Sequence, residues 1–142
     1  MDTHKGLSMI GFSRIVEIKH SILDKKFKTK ANADELNALA RRFEVSRIDN
    51  LNFEYLITEK TDISGAYVLI ASIKSKVVKY IVEGNEEIVD INEKFDVVLV
   101  TKDMARNNYE ELREFDIEIF DNDKRLDVGE IASQYLSLCI FM

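Results

Sequence analysis

Apolar positions crowd the span from Ala66 to Val100 more densely than anywhere else in the chain. Ala66-Tyr67-Val68-Leu69-Ile70-Ala71-Ser72-Ile73 continues through Val77-Val78-Lys79-Tyr80-Ile81-Val82 and turns at Glu83-Gly84-Asn85-Glu86-Glu87. It returns as Ile88-Val89-Asp90-Ile91 and Phe95-Asp96-Val97-Val98-Leu99-Val100. The pattern predicts a long antiparallel hairpin. Setting Ile81 opposite Val89 pairs odd positions with odd ones, so Ile73, Val77 and Ile81 share a core face with Val89, Ile91, Phe95, Val97 and Leu99. The same register sets Lys74 opposite Asp96 on the other face.

Before this hairpin, Phe12-Ser13-Arg14-Ile15-Val16-Glu17-Ile18-Lys19 alternates as a strand with Phe12, Val16 and Ile18 inward. Lys26-Phe27-Lys28-Thr29-Lys30 alternates in turn and puts Lys26, Lys28 and Lys30 on one face, a basic stripe about 13 Å long at the usual strand rise. Such a stripe can track phosphates, or it can protect an edge strand from aggregation. The spacing of Leu36, Leu39, Ala40 and Phe43 predicts an amphipathic helix over Ala33 to Phe43, with Asn32 as N-cap and Glu35 three residues on. Arg41 and Arg42 end that helix, where cations suit its dipole. Leu51, Phe53, Tyr55 and Ile57 then alternate inward along a further strand, and Asp62-Ile63-Ser64-Gly65 turns into the hairpin.

After Val100 the residues 101–114 are polar and weakly periodic, which reads as a mobile acidic connection. A short strand follows from Phe115 to Phe120 with Asp116 and Glu118 outward. The last predicted element is a helix from Val128 to about Phe141, capped by Asp127 with Glu130 at the third position. Its apolar side carries Ile131, Ala132, Tyr135, Leu138 and Cys139. These elements predict an α+β fold in a single domain: a strongly curved or barrel-like antiparallel sheet of about six or seven strands with two packed helices.

With 142 residues, 46% of them hydrophobic, the chain is long enough to bury a core. Residues 1–11 read as flexible and lack a signal-peptide pattern, and no apolar run approaches the roughly 18 residues of a membrane span. The reading is therefore a cytoplasmic protein without membrane attachment. One cysteine, Cys139, excludes an internal disulfide, and with only His4 and His20 no histidine or multi-cysteine metal site is implied. No cofactor is called for.

The net charge of −6 conceals a polarity along the chain. Residues 1–82 hold 14 Lys and Arg against 10 Asp and Glu, whereas residues 83–123 hold 4 against 14. Such segregation marks a charged partner for one face, or simply acidic loops that keep a β-rich chain soluble. Two candidate surfaces follow. Lys26, Lys28, Lys30, Arg41, Arg42, Lys74 and Lys76 would contact an RNA or another partner if strand order brings them together. Glu110, Glu111 and Glu114 would dock a basic protein.

Catalytic motifs are absent from the sequence: there is no phosphate loop, nucleophile elbow or HExxH. A metal-dependent hydrolase would have to use Asp96, Asp116 and Glu118, whose strand spacing also suits a solvated face. A small-ligand carrier would draw on Phe53, Tyr55, Tyr67 and Phe95, residues that equally fill a core.

The order of three segments carries a family resemblance. Phe12-Ser13-Arg14 before a strand, Ala33-Asp34-Glu35-Leu36-Asn37-Ala38-Leu39-Ala40-Arg41-Arg42-Phe43 in the first helix and Leu126-Asp127-Val128-Gly129-Glu130-Ile131 at the start of the last resemble the YceD-like family, in its alphaproteobacterial form. The resemblance spans about Phe12 to Ile140, with the Gly65 turn and Ile91-Asn92-Glu93-Lys94-Phe95 included. It implies a non-enzymatic factor in large-subunit ribosomal RNA processing or accumulation. Its partner would be large-subunit ribosomal RNA or a basic large-subunit ribosomal protein, and no oligomeric state is implied. The chain departs from the family where many members carry cysteines near the hairpin turn, having Tyr80 and Glu83 there. It also ends at Phe141-Met142, where relatives continue into a proline-rich basic tail.

Overall fold

Alternating inward residues on successive strands give this chain one large sheet whose odd-numbered face is covered along its length. The computed structural model describes residues 11–80 and 82–141, so the expected flexible start, apart from Gly11, lies outside the described residues. Strand β1 (Ile15–Glu17) pairs antiparallel with β7 (Arg125–Asp127) in a small two-stranded sheet. The main sheet has the order β2 (Lys26–Lys30), β3 (Arg47–Glu59), β4 (Tyr67–Tyr80), β5 (Glu86–Val100), β6 (Ile117–Ile119). Pairing is antiparallel from β2 to β5, but β6 lies parallel to β5, so the sheet is mixed. With β2 and β6 as its edges the main sheet stays open, and no closed barrel forms among the described residues.

Among the described residues four α-helices accompany it: α1 (Ala33–Phe43), α2 (Lys102–Asn107), α3 (Tyr109–Leu112) and α4 (Val128–Phe141). The capping box of α1 is complete: Glu35 N–H donates to Asn32 Oδ1, and Asn32 N–H donates to Glu35 Oε1, each at 2.9 Å. The core lies between the odd-numbered face of the sheet and helices α1 and α4. Leu51, Phe53, Ile57, Leu69, Ile73, Val77 and Leu99 point into it, with Leu39 from α1 and Leu136 from α4. A smaller cluster of Ile63, Ala66, Val98, Val100 and Leu112 lies at one end of the sheet. No helix among the described residues is long and apolar enough to cross a membrane.

Several expectations are corrected by this arrangement. The hairpin turns two residues earlier than its sequence suggested: Tyr80 pairs with Glu86 and Val77 with Val89, around a turn in which both Glu83 (φ 69°) and Gly84 (φ 75°) are left-handed. Ile81 lies outside the described residues. Because the shift is even, odd residues still pair with odd ones and the core face survives. The pairs within it change, however. Lys74 faces Asn92, and Asp96 faces Ile70.

Within residues 101–114, expected as a mobile acidic connection, the chain forms α2 and α3. Thr101 Oγ1 caps α2 by accepting from Met104 N–H, and Leu112 of α3 is buried in the smaller cluster. On β6 the expected faces are reversed. Parallel pairing sets Glu118 beside Leu99 on the covered face, where it is half-buried, and leaves Ile117 and Ile119 exposed. In α4 the core positions are Ile131, Ala132, Leu136 and Ile140, whereas Leu138 is exposed.

Candidate nucleic-acid interface

The even-numbered face of the main sheet is uncovered through its middle, and pairing sorts its side chains into rows. Lys30, Asn52, Lys74 and Asn92 form one row across β2 to β5. Beside it run Lys28, Glu54, Ser72 and Lys94, then Lys26, Leu56, Ile70 and Asp96. On the other side of the first row, Asn50, Lys76 and Asp90 make a shorter one. At ordinary strand spacing each full row is about 14 Å across, and adjacent rows are about 7 Å apart. Six lysines thus share this face with three carboxylates.

A cleft of about 660 Å³ runs along the first two full rows, bordered by Lys28, Lys30, Lys74, Lys94, Asn52 and Asn92. A second, of about 400 Å³, adjoins it by Lys26, Ile70 and Asp96. Glu54 is the one carboxylate bordering the larger cleft, and it reaches Lys26 at 3.8 Å and Lys28 at 3.6 Å. Those contacts are long and solvated, so they hold the lysines only loosely. Lys30, Lys74 and Lys94 are exposed. The stripe on β2 is also an edge strand, so protection of the edge and presentation of charge coincide there.

Of the residues expected on a basic surface, Lys26, Lys28, Lys30, Lys74 and Lys76 come together, but Arg41 and Arg42 do not join them. Helix α1 covers the opposite face of the sheet. Arg41 borders a separate cleft with Asn37, Arg47 and Tyr80. Arg42 donates through Nη1 and Nη2 to the two carboxylate oxygens of Glu130, at 2.8 and 2.7 Å, which ties α1 to α4. Lys94 and the flanking amides of Asn52 and Asn92 were missed. Parity alone would have found Lys94, since it shares even numbering with Lys74 on a paired strand.

The three carboxylates proposed for hydrolysis do not converge. Asp96 stands on the open face opposite Ile70, while Glu118 is on the covered face. There burial, and then the charge of Glu130, push the Glu118 carboxyl above its ordinary pKa. Asp116 is exposed, ahead of β6. No group of three or more His, Cys, Asp or Glu among the described residues could hold a metal ion. Burial and the nearby Glu93 raise the Cys139 thiol.

The acidic candidates Glu110 and Glu111 lie on α3 with Glu114 just beyond, and Glu110 is paired with Arg113 at 3.5 Å. They follow the far end of β5, a strand about 45 Å long when extended that begins at the acidic Glu86 and Glu87. Between them Asp90 and Asp96 share the open face with the lysines.

The segments that carry the family resemblance meet in a single junction. Asp127 accepts from Ser13 Oγ at 2.7 Å, from Arg14 N–H at 2.8 Å and from Glu130 N–H at 3.1 Å, so it anchors the N-terminal segment and caps α4 together. Arg14 lies over the Phe12 ring, donates to Thr29 Oγ1 and to the Lys30 carbonyl, and forms a bidentate pair with Glu35. The hydrogen bonds from Arg14 hold the Glu35 carboxyl below its ordinary pKa. Comparison with protein-family models, with curated proteins and with solved structures gave no match.

Proposed function

We propose that this chain is a non-enzymatic RNA-binding factor of the YceD-like kind, acting in the cytoplasm on large-subunit ribosomal RNA processing or accumulation. The observation that carries this reading is the gathering of Lys26, Lys28, Lys30, Lys74, Lys76 and Lys94 on one uncovered sheet face. Lysines in that setting neutralise phosphates and release counterions, the main source of RNA affinity. The resemblance contributes the biological setting. An overall charge of −6 is compatible with it, because exposed charges beyond about 10 Å are largely screened at ordinary salt.

A basic ribosomal protein as the direct partner draws less support, since Asp90 and Asp96 stand among the lysines of the open face while Glu110 and Glu111 lie apart on α3. A hydrolase draws none from Asp96, Asp116 and Glu118, which lie apart. The clefts on the lysine face are bordered by charged and amide groups, which suits a small apolar ligand poorly. Crosslinking in cells, with identification of both RNA and protein adducts, tests the proposal. Adducts of ribosomal RNA on peptides containing Lys28, Lys74 or Lys94 are expected; protein adducts at Glu110 to Glu114 without RNA adducts would overturn it.

A further inference from the structure

We infer that the lysine face is shaped for the phosphate backbone of double-helical RNA and not for the bases of a single strand, an inference that rests on the RNA-binding reading above. Proteins that hold single-stranded RNA on a sheet stack its bases on exposed aromatic rings. None of the residues in the four rows is aromatic. Most of the rings near the face are committed elsewhere. Phe53 and Phe27 both stack with Tyr55, at 5.2 and 5.4 Å, on the covered side, and Phe95 stacks on Tyr135 of α4 at 4.0 Å. Tyr80, exposed on β4, stands two rows past Lys76 and borders the cleft beside Arg41 and Arg47.

The layout of the charge agrees. Six lysines spread over three strands in an area of about 14 Å by 20 Å, rather than in a file that one strand would follow. A duplex presents roughly one phosphate per 1.7 Å of axis with both strands counted, about twice the density of a single strand, and so offers charge in two dimensions. Between the lysines the face carries Asn52, Ser72 and Asn92, whose amides and hydroxyl can donate to phosphate oxygens or bond a ribose 2′-hydroxyl. Such contacts position a duplex without reading its sequence.

Fluorescence anisotropy decides the matter, using an RNA duplex and each of its separate strands, repeated with a second sequence of the same length. We expect the duplex to bind about tenfold or more tightly than either strand, equally for both sequences, with a log–log salt slope near −3.5 for about four phosphate contacts. Lys74→Gln and Lys94→Gln should each reduce that slope by about 1. Glu54→Gln, which removes the carboxylate at the cleft, should tighten binding by about two- to fivefold at low salt. Its gain cannot come from misfolding. Single strands that bind as tightly as the duplex, or with a preference among bases, would overturn the duplex inference and leave the RNA-binding reading standing. Absence of salt-dependent binding to any RNA, with binding to basic large-subunit proteins instead, would overturn both.

Discussion

Arg42 of α1 and Glu130 of α4 meet in a two-pronged pair, at 2.8 and 2.7 Å, across the two helices that cover the sheet. Burial works against the Glu130 charge, but hydrogen bonds from Arg42 and Gln134 outweigh it and hold the carboxyl below its ordinary pKa. A carboxyl depressed by folding stabilises above its unfolded pKa, and that contribution is lost as pH falls through the folded value. Glu118 has the opposite sign: its pKa is raised by burial and then by Glu130, so its ionisation costs stability near neutrality and the cost fades in acid. Glu130→Gln should therefore lower stability near pH 7 by no more than about 1 kcal/mol for a partly exposed pair, and the melting temperature with it. Glu118→Gln should raise it. Thermal melts of both variants from about pH 7 into acid should show the Glu118 effect fading first, above the ordinary glutamate pKa, and the Glu130 effect only below it; equal signs at pH 7 would refute the assignment.

Gly129 is fixed by the backbone it touches. A Cβ there would stand 2.8 Å from both Arg14 N and Phe12 O and 3.0 Å from Ser13 C, and backbone cannot yield as a side-chain tip can. Gly129→Ala should cost about 2 to 3 kcal/mol in chemical denaturation. Gly84→Ala, with nothing within 4 Å but a φ of +75°, should cost only about 1 kcal/mol. A mild Gly129→Ala phenotype would mean that the junction of the N-terminal segment with α4 is loosely held.

Phe95 lies on the core face yet is only half-buried, one side of its ring lying against Tyr135 at 4.0 Å and 17°. Phe95→Ala should cost about 1.5 to 2.5 kcal/mol, short of the 3 to 5 kcal/mol expected for Phe53→Ala at 1% exposure. Urea denaturation of both variants orders them directly.

Parity was legible in the sequence and register was not. The alternation of Leu51, Phe53, Tyr55 and Ile57, and of Ile73 and Val77, fixes which face is buried, because burial decides it residue by residue. The position of the turn depends on which residue accepts a left-handed conformation, and nothing in Glu83 itself announces that it will. Helices α1 and α4 were legible through Asn32, Glu35 and Asp127, whose capping is local chemistry. The strand β6 was misread because Asp116 and Glu118 look like a solvent-facing alternation, whereas its parallel seat beside β5 comes from tertiary packing. For the candidate site, the lysines of β2 and β4 were legible as stripes. Their meeting with Lys94, and the separation of Arg41 and Arg42, depended on strand order and on the side α1 takes.

The remaining prediction separates the two charged regions. Glu110 and Glu111 are exposed on α3 with Glu114 beyond, and α3 joins the small cluster at the end of the sheet through Leu112. Neutralising Glu110, Glu111 and Glu114 together as Gln should leave the fold intact, since none of the three side chains is buried. If the lysine face is the RNA contact, this triple variant should bind ribosomal RNA within about twofold of the parent and keep its salt slope, because exposed charges that make no contact with the RNA are screened at ordinary salt. Lys30→Glu combined with Lys74→Glu should instead weaken RNA binding by about 100-fold or more at low salt and flatten the slope. A docking site for a basic protein on the acidic residues would reverse both results: the triple variant would slow association with large-subunit proteins, and the lysine reversals would leave it unchanged. Titrating both variants against ribosomal RNA and against those proteins therefore assigns the contact to one end of this molecule or to the open face of its sheet.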